Sequence, residues 1–138
     1  MAVGFNVGLY YYLVGSPDFL RSFFSTVAYR LEGGKWGRRF PLLMKRLYYK
    51  ELKPKEIDNA ILELHEIKNE FRHYSPDDVI WDIEDLSKQP PWGKDISEDI
   101  TDLSNYFVTS DGRDFIDVLF MALNEAKESN LPIKIEAL

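Results

Sequence analysis

Over residues 3–13 apolar side chains alternate with the rest. Val3, Phe5, Val7, Leu9, Tyr11 and Leu13 share one face, with Gly4, Asn6, Gly8, Tyr10 and Tyr12 between them. A period of two over this length predicts a strand, or two strands meeting at a bend near Gly8. Gly15-Ser16-Pro17-Asp18 then ends the strand and opens a helix, with Ser16 as its N-cap and Pro17 in its first turn. Phe19, Leu20, Phe23, Phe24, Val27, Ala28 and Leu31 recur at helical spacing, and Gly33-Gly34 should stop the helix. Residues 38–50 predict a second, shorter helix opened by Pro41. A third runs from Pro54 to about Tyr74, where Ile57, Ala60, Ile61, Leu64, Ile67 and Phe71 follow the i, i+3, i+4, i+7 pattern. The last spans 113–129 on Phe115, Ile116, Leu119, Phe120, Leu123 and Ala126, with Ser110-Asp111-Gly112 as a turn that can cap it.

Weaker patterns fill the rest. Val79–Ile83 offers a short strand, Asn105–Thr109 a second, and Pro132–Ile135 a closing one. From Leu86 to Ser104 mostly loop is expected, with a turn of helix near Ser97–Leu103. The order is β-α-α-α-β-loop-β-α-β, which predicts one α+β domain over residues 1–138. About four helices would pack on a small sheet of three to four strands. Loops as long as 86–104 are uncommon inside compact domains and are often functional.

That loop belongs to the most unusual stretch of the chain, WDIEDLSKQPPWG from Trp81 to Gly93. Two tryptophans bracket Asp82, Glu84 and Asp85, and Pro90-Pro91 stiffens the approach to Trp92. Each indole has a large apolar face and one N–H that needs a partner. The two prolines fix φ twice and remove two backbone donors. A rigid, shaped loop is expected, with Trp81 turned to the core and Trp92 free to face either way.

Composition supports a single core: 138 residues are 45% hydrophobic and 14% aromatic. No cysteine is present, so neither disulfides nor thiolate metal sites can form. The first fifteen residues lack a basic n-region, and the apolar run Val3–Val14 is too short to span a bilayer. The expectation is a soluble cytoplasmic protein without membrane contact.

The net charge of −6 is unevenly spread. Residues 1–76 carry 12 basic and 8 acidic side chains, net +4, whereas 77–102 carry 2 basic and 9 acidic, net −7. Such a negative pole repels nucleic acid and attracts basic proteins. Residues 35–55 hold eight basic side chains against the single acid Glu51. That stretch fits a solvated helix face, a nucleic-acid stripe, or a counterweight to the acidic segment within the molecule or across a homodimer.

Catalytic patterns are weak. Gly33-Gly34-Lys35-Trp36-Gly37 lacks the Gly-Lys-Ser/Thr ending of a phosphate loop and predicts a tight turn. His65 and His73 lie about 12 Å apart on one helix, too far to share a metal. Asp82, Glu84 and Asp85 could hold a hard cation such as Mg2+, which keeps a metal-dependent hydrolase as a minor alternative. No nucleophile elbow and no dinucleotide fingerprint occur. The residues read as a binding protein rather than an enzyme, with no cofactor. Asp82, Glu84, Asp85, Trp92, Asp95, Glu98 and Asp99 are the candidate contact residues.

WDIEDLSKQPPWG, followed by Ile100-Thr101-Asp102-Leu103-Ser104-Asn105-Tyr106-Phe107-Val108-Thr109-Ser110-Asp111-Gly112, resembles the immunity proteins of bacterial polymorphic toxin systems, in the family usually numbered seventy. The AVGF start, the DFLRSFFSTV helix and the RFPLLM segment are similar too, so the likeness covers nearly the whole chain. It implies a small cytoplasmic, non-catalytic protein that binds and blocks a cognate toxin C-terminal domain, many such toxins being nucleases. It assigns no contact residues. An acidic interaction or regulatory module with a different basic partner is the alternative.

Overall fold

The computed structural model describes residues 1–138 and is α+β, as the patterning predicts. Four antiparallel strands form one sheet in the order β2-β1-β4-β3: β1 (Val3–Val7), β2 (Tyr10–Gly15), β3 (Glu51–Leu52) and β4 (Ile133–Ala137). There are three α-helices, α1 (Pro17–Thr26), α2 (Ile57–Phe71) and α3 (Phe115–Ser129), and two π-helical segments, Val27–Leu31 and Leu42–Leu47, lie between α1 and α2. No helix is long and apolar enough to cross a membrane.

The alternating N-terminal stretch is a hairpin. Val7 pairs with Tyr10 across a two-residue turn at Gly8-Leu9, with Gly8 at φ 58°. The turn resets the alternation, so Leu9 leaves the predicted inward face and is fully solvent-exposed at the tip. Tyr12 and Val14 then join Phe5 on the core side, while Tyr11 and Leu13 lie opposite Asn6 and Gly4 on the other. A Cβ at Gly4 would sit 2.3 Å from the Tyr12 carbonyl oxygen and 2.8 Å from the Tyr11 ring, so only glycine fits beneath that tyrosine.

Capping follows the residues. Ser16 accepts the Phe19 N–H at 3.1 Å and starts α1. Asp114, not the turn at 110–112, caps α3 by accepting the Ile116 N–H at 2.9 Å, and Asn130 ends it in the left-handed conformation. α3 lies on β1, β2 and β4, and α2 packs on α3. Between them Phe23 meets Phe115 at 4.5 Å and Phe107 at 5.2 Å, and Phe115 reaches Phe5 at 5.9 Å. Ring contacts of this kind contribute beyond the area they bury.

Two expected strands do not join the sheet. Residues 79–83 run as irregular backbone along α1 because hydroxyls of that helix take their polar groups. Ser22 donates to the Ile80 carbonyl at 2.8 Å, Thr26 accepts the Ile80 N–H at 3.0 Å, and Ser25 accepts the Ile83 N–H at 3.2 Å. Asn105–Thr109 makes a single bridge, Val108 to Asp114, and drives Phe107 into the core. The sheet takes its place from β3 instead, where Glu51 pairs with Lys134 and Leu52 with Ile133. Two residues carry no periodicity to detect.

Candidate functional site

Residues 79–108 form an irregular layer over the outer side of α1. Buried side chains peg it: Leu103, Tyr106 and Phe107 enter the core, and the Leu103 N–H bonds the Tyr74 carbonyl at 3.1 Å. Short polar side chains fold the exposed parts into tight turns. Asp82 accepts the Glu84 N–H at 2.9 Å, Asp85 the Ser87 N–H at 3.1 Å, Ser97 the Asp99 N–H at 3.2 Å, and Asn105 the Thr101 and Asp102 N–H groups.

The two tryptophans divide the roles expected of them. Trp81 is half-buried against the core, and its ring meets Trp92 edge-on at 5.5 Å. Trp92 stays 37% exposed, yet its indole N–H donates to the Tyr106 hydroxyl at 2.8 Å and its ring faces Phe19 at 6.5 Å. Burial raises the Tyr106 pKa above its ordinary value, so the phenol stays protonated at neutral pH. Trp92 is therefore a fixed wall with one open side.

Beside that wall lies a cleft of about 280 Å³ lined by Phe19, Trp92, Ile96, Ile100, Tyr106 and Val108, with Asp95 and Ser97 as its polar members. A second, more polar cleft of about 160 Å³ opens between Pro76, Asp77, Pro90 and Lys94, with Ile96 and Tyr106 shared between the two. Trp92 and Asp95 are the predicted site residues that line the larger one. Its apolar lining was not singled out from sequence. Ile96 and Ile100, apolar residues four apart in an otherwise acidic loop, are the signal that could find it; the turn of helix expected near Ser97–Leu103 is irregular backbone and turns.

The predicted carboxylates fall into two groups. Asp82 is spent within the fold, 3.4 Å from Arg21 Nε and 3.5 Å from Lys88 Nζ. The Glu84 N–H, partly offset by burial and then helped by Arg21 and Lys88, holds its pKa below the usual carboxylate range. Asp85 is likewise lowered by the Ser87 hydroxyl and N–H. Glu84 projects into solvent with Arg21 3.9 Å away. Asp95, Glu98 and Asp99 are exposed and have no basic group of the chain within 4 Å. Glu98 and Asp99 sit between the cleft residues Ser97 and Ile100.

The expected alternatives do not assemble here. No group of three or more His, Asp or Glu side chains is placed to hold a metal ion. None of the basic residues 35–55 pairs with the acidic segment; the partners of 77–102 are Arg21, Arg30, Lys88 and Lys94. Arg39 binds Glu66 and Glu70, and Arg46 binds Glu56. The glycine-rich turn already cradles an anion, the chain's own Glu32, whose carboxylate accepts the Gly37, Arg39 and Phe40 N–H groups.

Residues 5–135 match the family described as Immunity protein 70, so the match spans nearly the whole chain, and the chain belongs to that family. Comparison with curated proteins and with solved structures finds no match.

Proposed function

We propose that this member of the Immunity protein 70 family is a cytoplasmic, non-catalytic inhibitor that binds the C-terminal domain of a cognate polymorphic toxin. The face it uses is the acidic layer of residues 82–102. One observation carries the assignment: Asp95, Glu98 and Asp99 stand exposed and unpaired beside a half-exposed tryptophan and an apolar cleft. Unpaired carboxylates around an aromatic anchor suit a basic partner, which they attract by charge and which can cover the ring. A toxin that cleaves nucleic acid must be basic to hold phosphates, and such a face occupies the basic groove in their stead. Asp82 shapes the face rather than contacts the partner, because both of its oxygens are engaged within the chain, whereas Asp85 holds the Ser87 N–H and hydroxyl with one oxygen and keeps the other free for a partner.

Co-expression tests the reading. The toxin C-terminal domain encoded next to this gene is induced with and without this protein, and the complex is isolated by pull-down. Survival and a stable complex are expected with the wild type. Replacing Asp95, Glu98 and Asp99 together by Ser should leave folding intact, since exposed substitutions change stability by no more than about 0.5 kcal/mol. It should also slow association and abolish protection. Death of cells carrying the wild-type protein, with no complex formed, would overturn the assignment for that toxin.

A further inference from the structure

The larger cleft has a specific chemistry. At about 280 Å³ it lies below the range of roughly 300–1,000 Å³ usual for small-molecule sites and has room for one long side chain. Six of its eight lining residues are apolar, so an occupant must offer hydrocarbon. Asp95 is unpaired, so the same occupant must also offer a cation or leave a carboxylate stranded as water is expelled. Arginine and lysine meet both conditions, with an apolar stem and a charged head. The open side of Trp92, fixed by its bond to Tyr106, presents an indole to such a head.

We infer that this cleft is the socket for one basic side chain of the partner protein, arginine by preference. Its stem lies along Trp92, Ile96 and Val108, and its head reaches Asp95. The planar guanidinium both stacks on indole and pairs with a carboxylate, which lysine does less well. Glu98 and Asp99 add negative field nearby and repel acidic competitors. This inference rests on the toxin-binding reading above and names the contact at its centre.

The probe is the neighbouring toxin's C-terminal domain, inactivated by substitution, with affinity measured by calorimetry at several salt concentrations. Val108 is 42% exposed, so Val108→Arg fills the cleft with a fixed cation without disturbing the core. It should weaken binding about 100-fold, and Asp95→Asn about 30-fold with a shallower salt dependence. Thermal unfolding of both variants should match the wild type. Asp95→Lys should lose binding and regain it with a toxin variant in which one Arg or Lys is changed to Asp. Unchanged affinity in Val108→Arg and Asp95→Asn would overturn the socket while leaving the immunity assignment standing. Weakening by Val108→Arg alone, with Asp95→Asn and the salt dependence unaltered, would overturn the cationic occupant in favour of an apolar one. Absence of binding by the wild type would overturn both.

Discussion

The glycine-rich segment 32–40 and the acidic segment 81–108 are both irregular, and they use their carboxylates in opposite ways. Glu32 is 2% exposed and turned inward, where it organises three backbone N–H groups of its own loop. Asp95, Glu98 and Asp99 are turned outward and organise nothing within the chain. Asp82, Asp85 and Asp102 stand between these extremes, exposed or half-exposed yet occupied as turn-formers. The difference teaches that charge density along a sequence does not locate a binding face. The fold spends some of those charges on its own turns and leaves others free.

Breaking the first loop should have the largest effect. Glu32→Ala strands buried N–H groups, at a cost of about 1–3 kcal/mol for each group left unsatisfied. A loss of about 3 kcal/mol or more is expected by urea denaturation, with Glu32→Gln in between because one oxygen remains as an acceptor. A loss below about 1 kcal/mol would mean that the loop holds its shape without the carboxylate.

The wall of the acidic layer comes next. Trp92→Ala removes contacts with Phe19, Trp81 and Tyr106. Fully buried tryptophans cost about 3–5 kcal/mol on truncation, and the half-exposed position lowers the expectation to about 2. Trp92→Phe keeps most of the packing and loses the bond to Tyr106, for about 1 kcal/mol. Equal losses in the two variants would assign the whole effect to that hydrogen bond.

The smallest effect is pH-dependent and separates a turn-forming acid from a buried one. Asp82 has a folded pKa below its unfolded value. Its contribution is therefore present above about pH 4 and is lost as pH falls through the depressed folded value. Glu63 and Asp114 have the opposite sign, because burial raises both. Their contribution is present in acid and lost as pH rises through their folded values. Asp82→Asn should flatten the fall in stability below about pH 4, costing no more than about 1 kcal/mol at neutral pH. Denaturation midpoints measured across that range check it, and an unchanged acid limb would remove Asp82 from the balance.

Much of the fold was legible. Long periodic runs such as Ile57–Phe71 and Phe115–Ser129 bury a helical stripe wherever they pack, so their spacing alone identifies them. Ser16-Pro17 marks a helix start by local chemistry that needs no tertiary partner. The strand pattern at Val79–Ile83 misled because β-propensity is a statement about what the backbone pairs with. Here Ser22, Ser25 and Thr26, polar positions outside the apolar set of α1, are buried and take those backbone groups. Of the candidate site, Trp92 and Asp95 were named from the sequence and do line the larger cleft. The apolar lining was not, because Phe19, Ile100 and Val108 are distant in sequence and meet only where the layer crosses α1.

The sequence by itself determined the fold class, the long helices and the family, and left the N-terminal stretch as one strand or two meeting near Gly8, because these rest on local periodicity, local caps and a long motif. Tertiary structure alone decided which carboxylates are free, which polar residues are buried and where the cleft lies. Contacts of 3.4 and 2.8 Å join residues as far apart as Arg21 and Asp82 or Ser22 and Ile80, and no spacing in the chain encodes that proximity.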